Sequence, residues 1–126
     1  MTGGRTSDEG VLRRLVGLKI SAVCFVGDHV ELGFDGPVLR ALSYPFGLYG
    51  CHGWRFPEGN SPTFMRYFIG KTVDDVVLVP DRLLAVDSGE HRFAIPLDPE
   101  SRRGPDAAHL LVPDDDASGG HHRWTW

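Results

Sequence analysis

The middle of the chain concentrates side chains that can bind or react. Residues 44–56 combine aromatic rings, a thiol, an imidazole and a guanidinium with glycines at positions 47, 50 and 53. Aromatic side chains on a glycine-rich loop can form the wall of a ligand pocket, and an arginine or histidine there can anchor an acidic or carbonyl group. They can equally form a hydrophobic clasp between two halves of a fold, so both interpretations stand. The candidate contact residues are Tyr44, Tyr49, Cys51, His52, Trp54, Arg55 and Phe56.

Cys51 and His52 are neighbours in the sequence, which raises the question of nucleophilic catalysis. A thiolate is a strong nucleophile, and an imidazole can accept its proton. Adjacent side chains on a strand point to opposite faces, however, and no spacing identifies a third, orienting group. His52 is the catalytic candidate because imidazole exchanges protons near neutral pH. The sequence therefore leaves open whether any reaction is catalysed.

The histidines and aspartates do not have the spacing of a metal site. His121 and His122 are adjacent, which makes it awkward for both to bind one ion, and the other four histidines lie on separate predicted elements. No zinc spacing is present, and Asp114, Asp115 and Asp116 lack the alternation and the internal glycine of a calcium loop. We predict no metal, no cofactor and a solvated acidic turn at 114–116.

Composition excludes several classes of function. The net charge is −4, and Lys and Arg cluster only as pairs, so binding to a nucleic-acid backbone is not expected. No segment approaches the roughly 18 apolar residues of a membrane-spanning helix, and the first residues lack the apolar stretch of an export signal. The two cysteines are expected to stay reduced, with Cys24 a small core residue. We therefore expect a cytoplasmic protein of one domain.

The chain repeats itself weakly after fifty-three positions. This shift aligns turn-forming and apolar residues in one long register, with one compensated slip at a hairpin. Any two β meanders resemble each other to some degree, so chance similarity is the alternative. The matched pairs are Arg13 with Arg66, Gly17 with Gly70, Val23 with Val76, Asp28 with Asp81, Gly36 with Gly89, and Ala41 with Ala94. The aligned arginines are expected to brace each helix against the opposite half.

Each copy predicts a short helix followed by three strands. Ser7 and Ser61 begin the helices, and Gly17 and Gly70 end them. Turn residues separate the strands that follow, and the tail adds a loop at 114–120 between two more strands. Trp124 and Trp126, two residues apart, are expected to cover the core together. The predicted strands are 19–26, 29–34, 38–44, 72–79, 82–86, 91–97, 109–112 and 121–126.

These elements predict a single domain over residues 1–126. Repeat one covers about 7–45, an insert loop 46–60, repeat two about 61–98, and a C-terminal β-hairpin 99–126. A three-stranded meander leaves one face exposed, and a second copy can cover it. We therefore predict an α+β fold in which an internally duplicated helix-plus-three-strand meander forms a mainly antiparallel β sandwich or partly open barrel with two short helices. Open sheet edges further predict a homodimer.

The C-terminal half resembles a family of small bacterial proteins grouped as a domain of unknown function. The resemblance lies in "IPLD" at Ile95–Asp98, "GPDAA" from Gly104, and the closing Trp124 and Trp126. It covers most of the chain after Phe68 and, through the repeat, the first 45 residues more loosely. The segment "FGLYGCHGWRFPEGN" has no counterpart in that pattern. The resemblance implies no activity and no catalytic residue.

Two functions fit these observations. The first is a non-catalytic binding protein, an accessory or immunity-type partner, because no acid, base and nucleophile cluster in the sequence. The second is a small enzyme or ligand carrier with a pocket between the repeats, roofed by residues 44–56. In that case His52 is the acid or base, and Tyr44 or Tyr67 adds a hydroxyl group.

Overall fold

A computed structural model describes residues 9–113 and 121–126 of the chain. Residues 9–12 are helical and continue into a 3-10 turn at Arg13–Leu15, while the predicted helix start at Ser7 and the acidic loop 114–120 lie outside the described residues. One further helix, α1 (Ser61–Arg66), and a 3-10 turn at Pro99–Ser101 follow. The strands are β1 (Ile20–Val26), β2 (His29–Phe34), β3 (Val38–Ala41), β4 (Phe46–Tyr49), β5 (His52–Arg55), β6 (Asp75–Val79), β7 (Leu83–Ser88), β8 (His91–Pro96), β9 (Ala108–Pro113) and β10 (His121–Thr125).

The strands form two five-stranded antiparallel sheets. The first sheet has the order β1-β2-β3-β9-β10, and the second has the order β5-β4-β8-β7-β6. The predicted class, a mainly antiparallel β sandwich with short helices, is therefore confirmed. No described helix has the length and apolar character that crossing a membrane requires.

Each three-stranded meander is completed by a hairpin from the other half of the chain. The hairpin β4–β5 follows β3 in sequence but pairs with β8, and the hairpin β9–β10 follows β8 but pairs with β3. Residues 46–60 were predicted as an insert loop, and this prediction was wrong over 46–55. A Cβ at Gly47 would lie 1.9 Å from the carbonyl oxygen of Arg92, so this glycine permits close strand pairing. Gly50, with φ 62°, begins the two-residue turn, as glycine does in type II′ hairpins.

The segments that follow the two helices exchange reciprocal hydrogen bonds. The Gly17 N–H donates to the Val73 carbonyl at 2.8 Å, and the Gly70 N–H donates to the Ile20 carbonyl at 2.7 Å. Both glycines have positive φ, 91° and 94°, as predicted for residues that end a helix. Two more bonds join the same segments: Ile20 N–H to Lys71 O at 2.8 Å and Val73 N–H to Leu18 O at 2.9 Å.

The core lies between the sheets and is built from alternate residues of each strand. Phe68 and Phe93 are its largest fully buried side chains, and burial of one such side chain contributes about 1.5–3 kcal/mol. Trp124 and Trp126 pack against the core, as expected. Cys24 was predicted to be a core residue, and this was wrong. Its thiol is exposed because the neighbouring positions of β1 supply the inward face.

Candidate functional site

The β4–β5 hairpin distributes the predicted contact residues over two faces of the second sheet. Tyr49 and Trp54 lie on the inner face with the core, and Trp54 is only 6% exposed. Cys51 lies exposed in the turn. Tyr44, Arg55 and Phe56 lie together at one end of the sheet, where they line a cavity. The predicted set is therefore split into a clasp and a separate site.

The inner group forms the clasp. The Tyr49 ring stacks on the His91 imidazole with centroids 4.0 Å apart, and it meets Phe68 edge-on at 5.7 Å. The Gly50 N–H donates to Nδ1 of His91 at 2.8 Å, which fixes that imidazole. These contacts join the hairpin to β8 and to the residues after α1, so they hold the fold together; Trp54 also lines a second pocket, together with Ser61 and Phe64 of α1.

Among the described residues, no hydrogen bond joins Cys51 to His52. Cys51 is exposed in the turn, and the His52 ring stacks on Phe64 with centroids 5.8 Å apart. Within residues 9–113 and 121–126, no carboxylate contacts His52 to orient it. The same part of the chain contains no group of His, Cys, Asp and Glu that could hold a metal ion.

A cavity of about 490 Å³, here called the end cavity, opens where the second sheet meets the segment that follows β5. Tyr44, Phe46 and Phe56 form its aromatic wall, with Tyr44 and Phe56 edge to face at 5.7 Å. Arg55 and Arg82 also line it, and neither forms an ion pair with any residue in the described part of the chain. The volume falls within the range of small-molecule sites, about 300–1,000 Å³.

The sequence did not predict the cavity residues that come from the second half of the chain. Arg82 lies in the β6–β7 turn and Asp98 just after β8, both far in sequence from residues 44–56. The Asp98 carboxylate accepts hydrogen bonds from the backbone N–H and the hydroxyl of Ser101, at 3.1 and 2.9 Å. It therefore caps the 3-10 turn. The dipeptide Pro80–Asp81 marks a turn near Arg82, but only the strand order places it beside Arg55.

The outer face of the second sheet carries apolar residues beside one charged row, in which Asp75, Asp87 and Arg92 are paired across β6, β7 and β8. Its middle row runs from Val77 through Ala85 and Ala94 to Phe46 by direct strand pairing. Outer faces of antiparallel sandwiches ordinarily carry polar residues in alternation with buried ones. We call this surface the apolar face and define it as Phe46, Leu48, Val77, Val79, Leu83, Ala85, Ala94 and Pro96. Leu48 and Val79 are 45% and 42% exposed.

The outer face of the first sheet carries a hydrogen-bonded row of charged residues. Nε of Arg40 donates to Glu31 at 2.8 Å, and an Nη of Arg40 lies 3.4 Å from Nδ1 of His109. Because guanidinium only donates, Nδ1 accepts, and the Nε2–H of His109 donates to Asp106 at 3.0 Å. His109 is 8% exposed. These four residues satisfy one another, and no nucleophile joins them among the described residues.

An ion pair on the turn side of the first sheet joins Arg103 to Asp28. The hydrogen bond donated by Arg103 lowers the pKa of the Asp28 carboxyl, and the same contact raises the pKa of the Arg103 guanidinium. The Arg103 guanidinium also lies 4.4 Å from the centroid of the Tyr44 ring. Arg103 therefore ties the β1–β2 turn to the wall of the end cavity.

Comparison of the chain with protein-family models, curated proteins and solved structures found no match. The family resemblance of the C-terminal half therefore stays a prediction. In the fold, Ile95–Asp98 leads from β8 to the end cavity, whereas Trp126 pairs with the chain that enters β9. The Trp126 N–H donates to the Ala108 carbonyl at 3.0 Å.

Proposed function

We propose that this chain is a non-catalytic binding protein, an accessory or immunity-type partner, that contacts another protein through the apolar face. The observation that carries the proposal is that the apolar face exposes Leu48 and Val79, by 45% and 42%, on either side of a middle row in which Ala85 and Ala94 are fully buried. Exposed apolar patches of this kind mark interaction sites, because burying them on contact is favourable.

The surroundings of the apolar face indicate the chemistry of the partner. Arg55 and Arg82 lie at the end of the face where the end cavity opens, and neither has an ion-pair partner among the described residues. Aromatic residues and arginine are enriched at interface hot spots, and aromatic residues line this end. The partner is therefore a protein segment with apolar side chains and at least one carboxylate.

The arrangement of titratable groups supports binding over catalysis. The described carboxylates and imidazoles with strong contacts occur in closed sets, such as Glu31 with Arg40 and Asp87 with Arg92. In the latter pair, the Arg92 guanidinium donates two hydrogen bonds to Asp87, at 2.7 and 2.8 Å. These bonds raise the pKa of the Arg92 guanidinium. Groups bound to each other in this way stabilise the pairing of adjacent strands.

The test is affinity capture with matched variants on the two sheets. Leu48→Asp places a charge on the apolar face at a half-exposed position, so it leaves the thermal unfolding midpoint nearly unchanged. Thr125→Asp places the same charge on the exposed end of β10 in the first sheet. The wild type and Thr125→Asp should retain one stoichiometric protein from native lysate, and Leu48→Asp should lose it. Titration calorimetry with that protein, once purified, should give the same order. Capture of no partner, or equal capture by Leu48→Asp, contradicts the proposal.

A second candidate function is a ligand carrier or a small enzyme, favoured by the volume of the end cavity. The sequence predicts a pocket between the repeats, but the end cavity is lined by residues from 44–58 and from the second half of the chain. A saturable increase in the unfolding midpoint with a metabolite, abolished in Arg82→Ala, would favour this function. Loss of that increase in His52→Ala would return His52 to the site.

We infer further that the two halves are copies of one helix-and-meander unit. The strand orders of the two sheets correspond, and the hydrogen bonds between the glycine-led segments are reciprocal, as in an isologous contact. The aligned arginines both reach the opposite half: Arg13 pairs with Asp75 at 3.3 Å, and Arg66 lies 5.4 Å from the Phe25 ring. Superposition of the halves in an experimental structure would test this.

We also propose that the protein acts in the cytoplasm and forms a homodimer. Cys24 and Cys51 are both exposed and free, and a reducing compartment keeps such thiols from pairing. Strands β1 and β10 border the first sheet, and β5 and β6 border the second, so edges are present for pairing between copies. Light scattering of the purified protein should give twice the mass of one chain; a monomer mass would contradict the dimer.

A further inference from the structure

We infer that the end cavity binds an aromatic or bulky apolar group that carries a single carboxylate. The inference deepens the proposed function and rests on it, because the end cavity shares Phe46 and Pro96 with the apolar face. The group comes either from the terminus of a protein partner or from a free aromatic acid. Both sources present the same chemistry to the cavity.

The aromatic wall is held in place before any ligand arrives. Phe56 stacks on Phe25 with centroids 5.9 Å apart and an interplanar angle of 22°. Tyr44 meets Phe56 edge-on, and Arg103 covers the Tyr44 ring. Arg103 is itself fixed by its ion pair with Asp28. A ring that enters the cavity therefore meets an ordered aromatic surface, and little conformational freedom is lost on binding.

Two guanidinium groups in the cavity lining are available to a carboxylate. Arg55 and Arg82 have no ion-pair partner in the part of the chain that the structure describes, whereas the Asp98 carboxylate accepts two hydrogen bonds from Ser101. Glu58 is the remaining carboxylate of the lining, and it forms no ion pair with a described residue. With two arginines and two carboxylates the formal charge of the lining is zero, so binding of a carboxylate depends on the two guanidinium groups, which have no ion-pair partner among the described residues. A planar carboxylate can accept two parallel hydrogen bonds from a guanidinium, which selects it over a neutral amide.

Calorimetric titration with 3-phenylpropionate and with its neutral amide tests this inference directly. The acid should bind saturably, and the amide should bind at least about tenfold more weakly, since it cannot form the charge-assisted pair. Arg82→Gln and Arg55→Gln should each weaken binding of the acid by about tenfold, while Thr125→Asp should bind it like the wild type. Circular dichroism confirms that each variant is folded. No binding of the acid, equal binding of the amide, or unchanged binding in both arginine variants would overturn the inference.

Two peptides distinguish the sources of the carboxylate. A peptide that ends in phenylalanine with a free carboxylate is compared with the same peptide carrying a C-terminal amide. Tighter binding of the free-carboxylate peptide than of 3-phenylpropionate assigns the cavity to a partner's terminus; weaker binding assigns it to a free acid.

Failure here can be told apart from failure of the proposed function. If Leu48→Asp loses its protein partner but still binds 3-phenylpropionate, the cavity acts as inferred, and its ligand does not depend on Leu48. If the wild type captures the partner but binds neither 3-phenylpropionate nor the free-carboxylate peptide, the inference is wrong and the proposed function stands.

Discussion

The two sheets share one strand order but differ in the chemistry of the middle row on their outer faces. In the first sheet, the middle outer row places Glu31, Arg40 and His109 side by side on β2, β3 and β9. In the second sheet, the corresponding row on β7, β8 and β4 is Ala85, Ala94 and Phe46. These two rows occupy corresponding positions. The shift of fifty-three residues aligns Cys24 with Val77, and in the structure Cys24 pairs with Glu31 just as Val77 pairs with Ala85.

This difference shows how one scaffold can supply both a solvated surface and a contact surface. The inner rows of both sheets must be apolar, since they form the core. The outer rows are free to differ. Removing a row of paired charges from water carries a large desolvation free energy, whereas removing a row of alanines and a phenylalanine does not. Association through the second sheet therefore costs less desolvation than association through the first. The changes below test this contrast between the sheets.

The largest effect is expected from Gly47→Ala, which separates the hairpin β4–β5 from β8. The new Cβ would lie 1.9 Å from the Arg92 carbonyl oxygen and 2.9 Å from the Trp54 ring. Moving either the β8 backbone or the buried indole to relieve these clashes would disrupt strand pairing or core packing. We expect a loss of about 3 kcal/mol in the free energy of unfolding, measured by urea denaturation. Gly53→Ala on β5 is the matched control, because its nearest neighbour is 4.0 Å away. Equal stability of both variants would contradict the register of the second sheet.

The next largest effect compares one arginine from each sheet. Arg40→Met leaves Glu31, whose side chain is 21% exposed, and the nearly buried His109 without their shared donor. We expect a loss of about 2 kcal/mol. Arg92→Met breaks a pair whose arginine is 38% exposed, so about 1 kcal/mol is expected in the same denaturation assay. A larger loss for Arg92→Met would show that the charged row of the first sheet contributes less than its geometry indicates.

A smaller loss of stability is expected at the two glycines that end the helices, and it should be equal in both halves of the chain. Gly17→Ala and Gly70→Ala each force an alanine into a positive φ, at 91° and 94°, with no atom within 4 Å of the new Cβ. The cost is conformational alone, and we expect about 1 kcal/mol for each, equal within error. Gly10→Ala, in the helical segment 9–12, should instead stabilise the protein by about 0.5 kcal/mol. Unequal losses at the two glycines would count against duplicated halves.

The smallest effect concerns the ion pair beside the first sheet. Arg103 lowers the pKa of Asp28, so the folded-state pKa lies below the unfolded value. The stabilisation is then present above the unfolded pKa of about 4 and is lost as pH falls through the folded pKa. Arg103→Met should raise the pKa of Asp28 in an NMR titration of the carboxyl carbons. It should also reduce the difference in stability between pH 7 and pH 2. An unchanged Asp28 titration would exclude the pair in solution.

Local patterns predicted several strands and turns well because each depends on nearby residues. The strand His29–Phe34 was predicted with its observed bounds, since polar and apolar residues alternate between two turns. The glycines that end the helices were predicted because positive φ favours glycine. Cys24 failed because an apolar run does not reveal which alternate residues face inward. Its neighbours Val23 and Phe25 pack against the core instead.

The candidate site was only partly predictable because its halves meet through strand order. Residues 44–56 were identified as chemically rich, but their glycines were interpreted as loop residues. Gly47 is required instead by the close approach of β8. Nothing in the local sequence indicates that β4 pairs with β8, and this pairing alone brings Arg82 near Arg55. The apolar face was missed for a related reason: alanine and valine look like core residues until the sheet shows which side they occupy.

The exchange of hairpins has a consequence for synthesis on the ribosome. All five strands of the second sheet have been made once Pro96 has been added, whereas the first sheet needs β9 and β10 from the last part of the chain. Strand β3 therefore remains an unpaired edge at a stage when the second sheet and its apolar face are already complete. We expect nascent chains that end near residue 100 to be the most prone to incorrect strand pairing. We expect limited proteolysis of ribosome-bound chains of increasing length to show protection of the second sheet before protection of the first sheet.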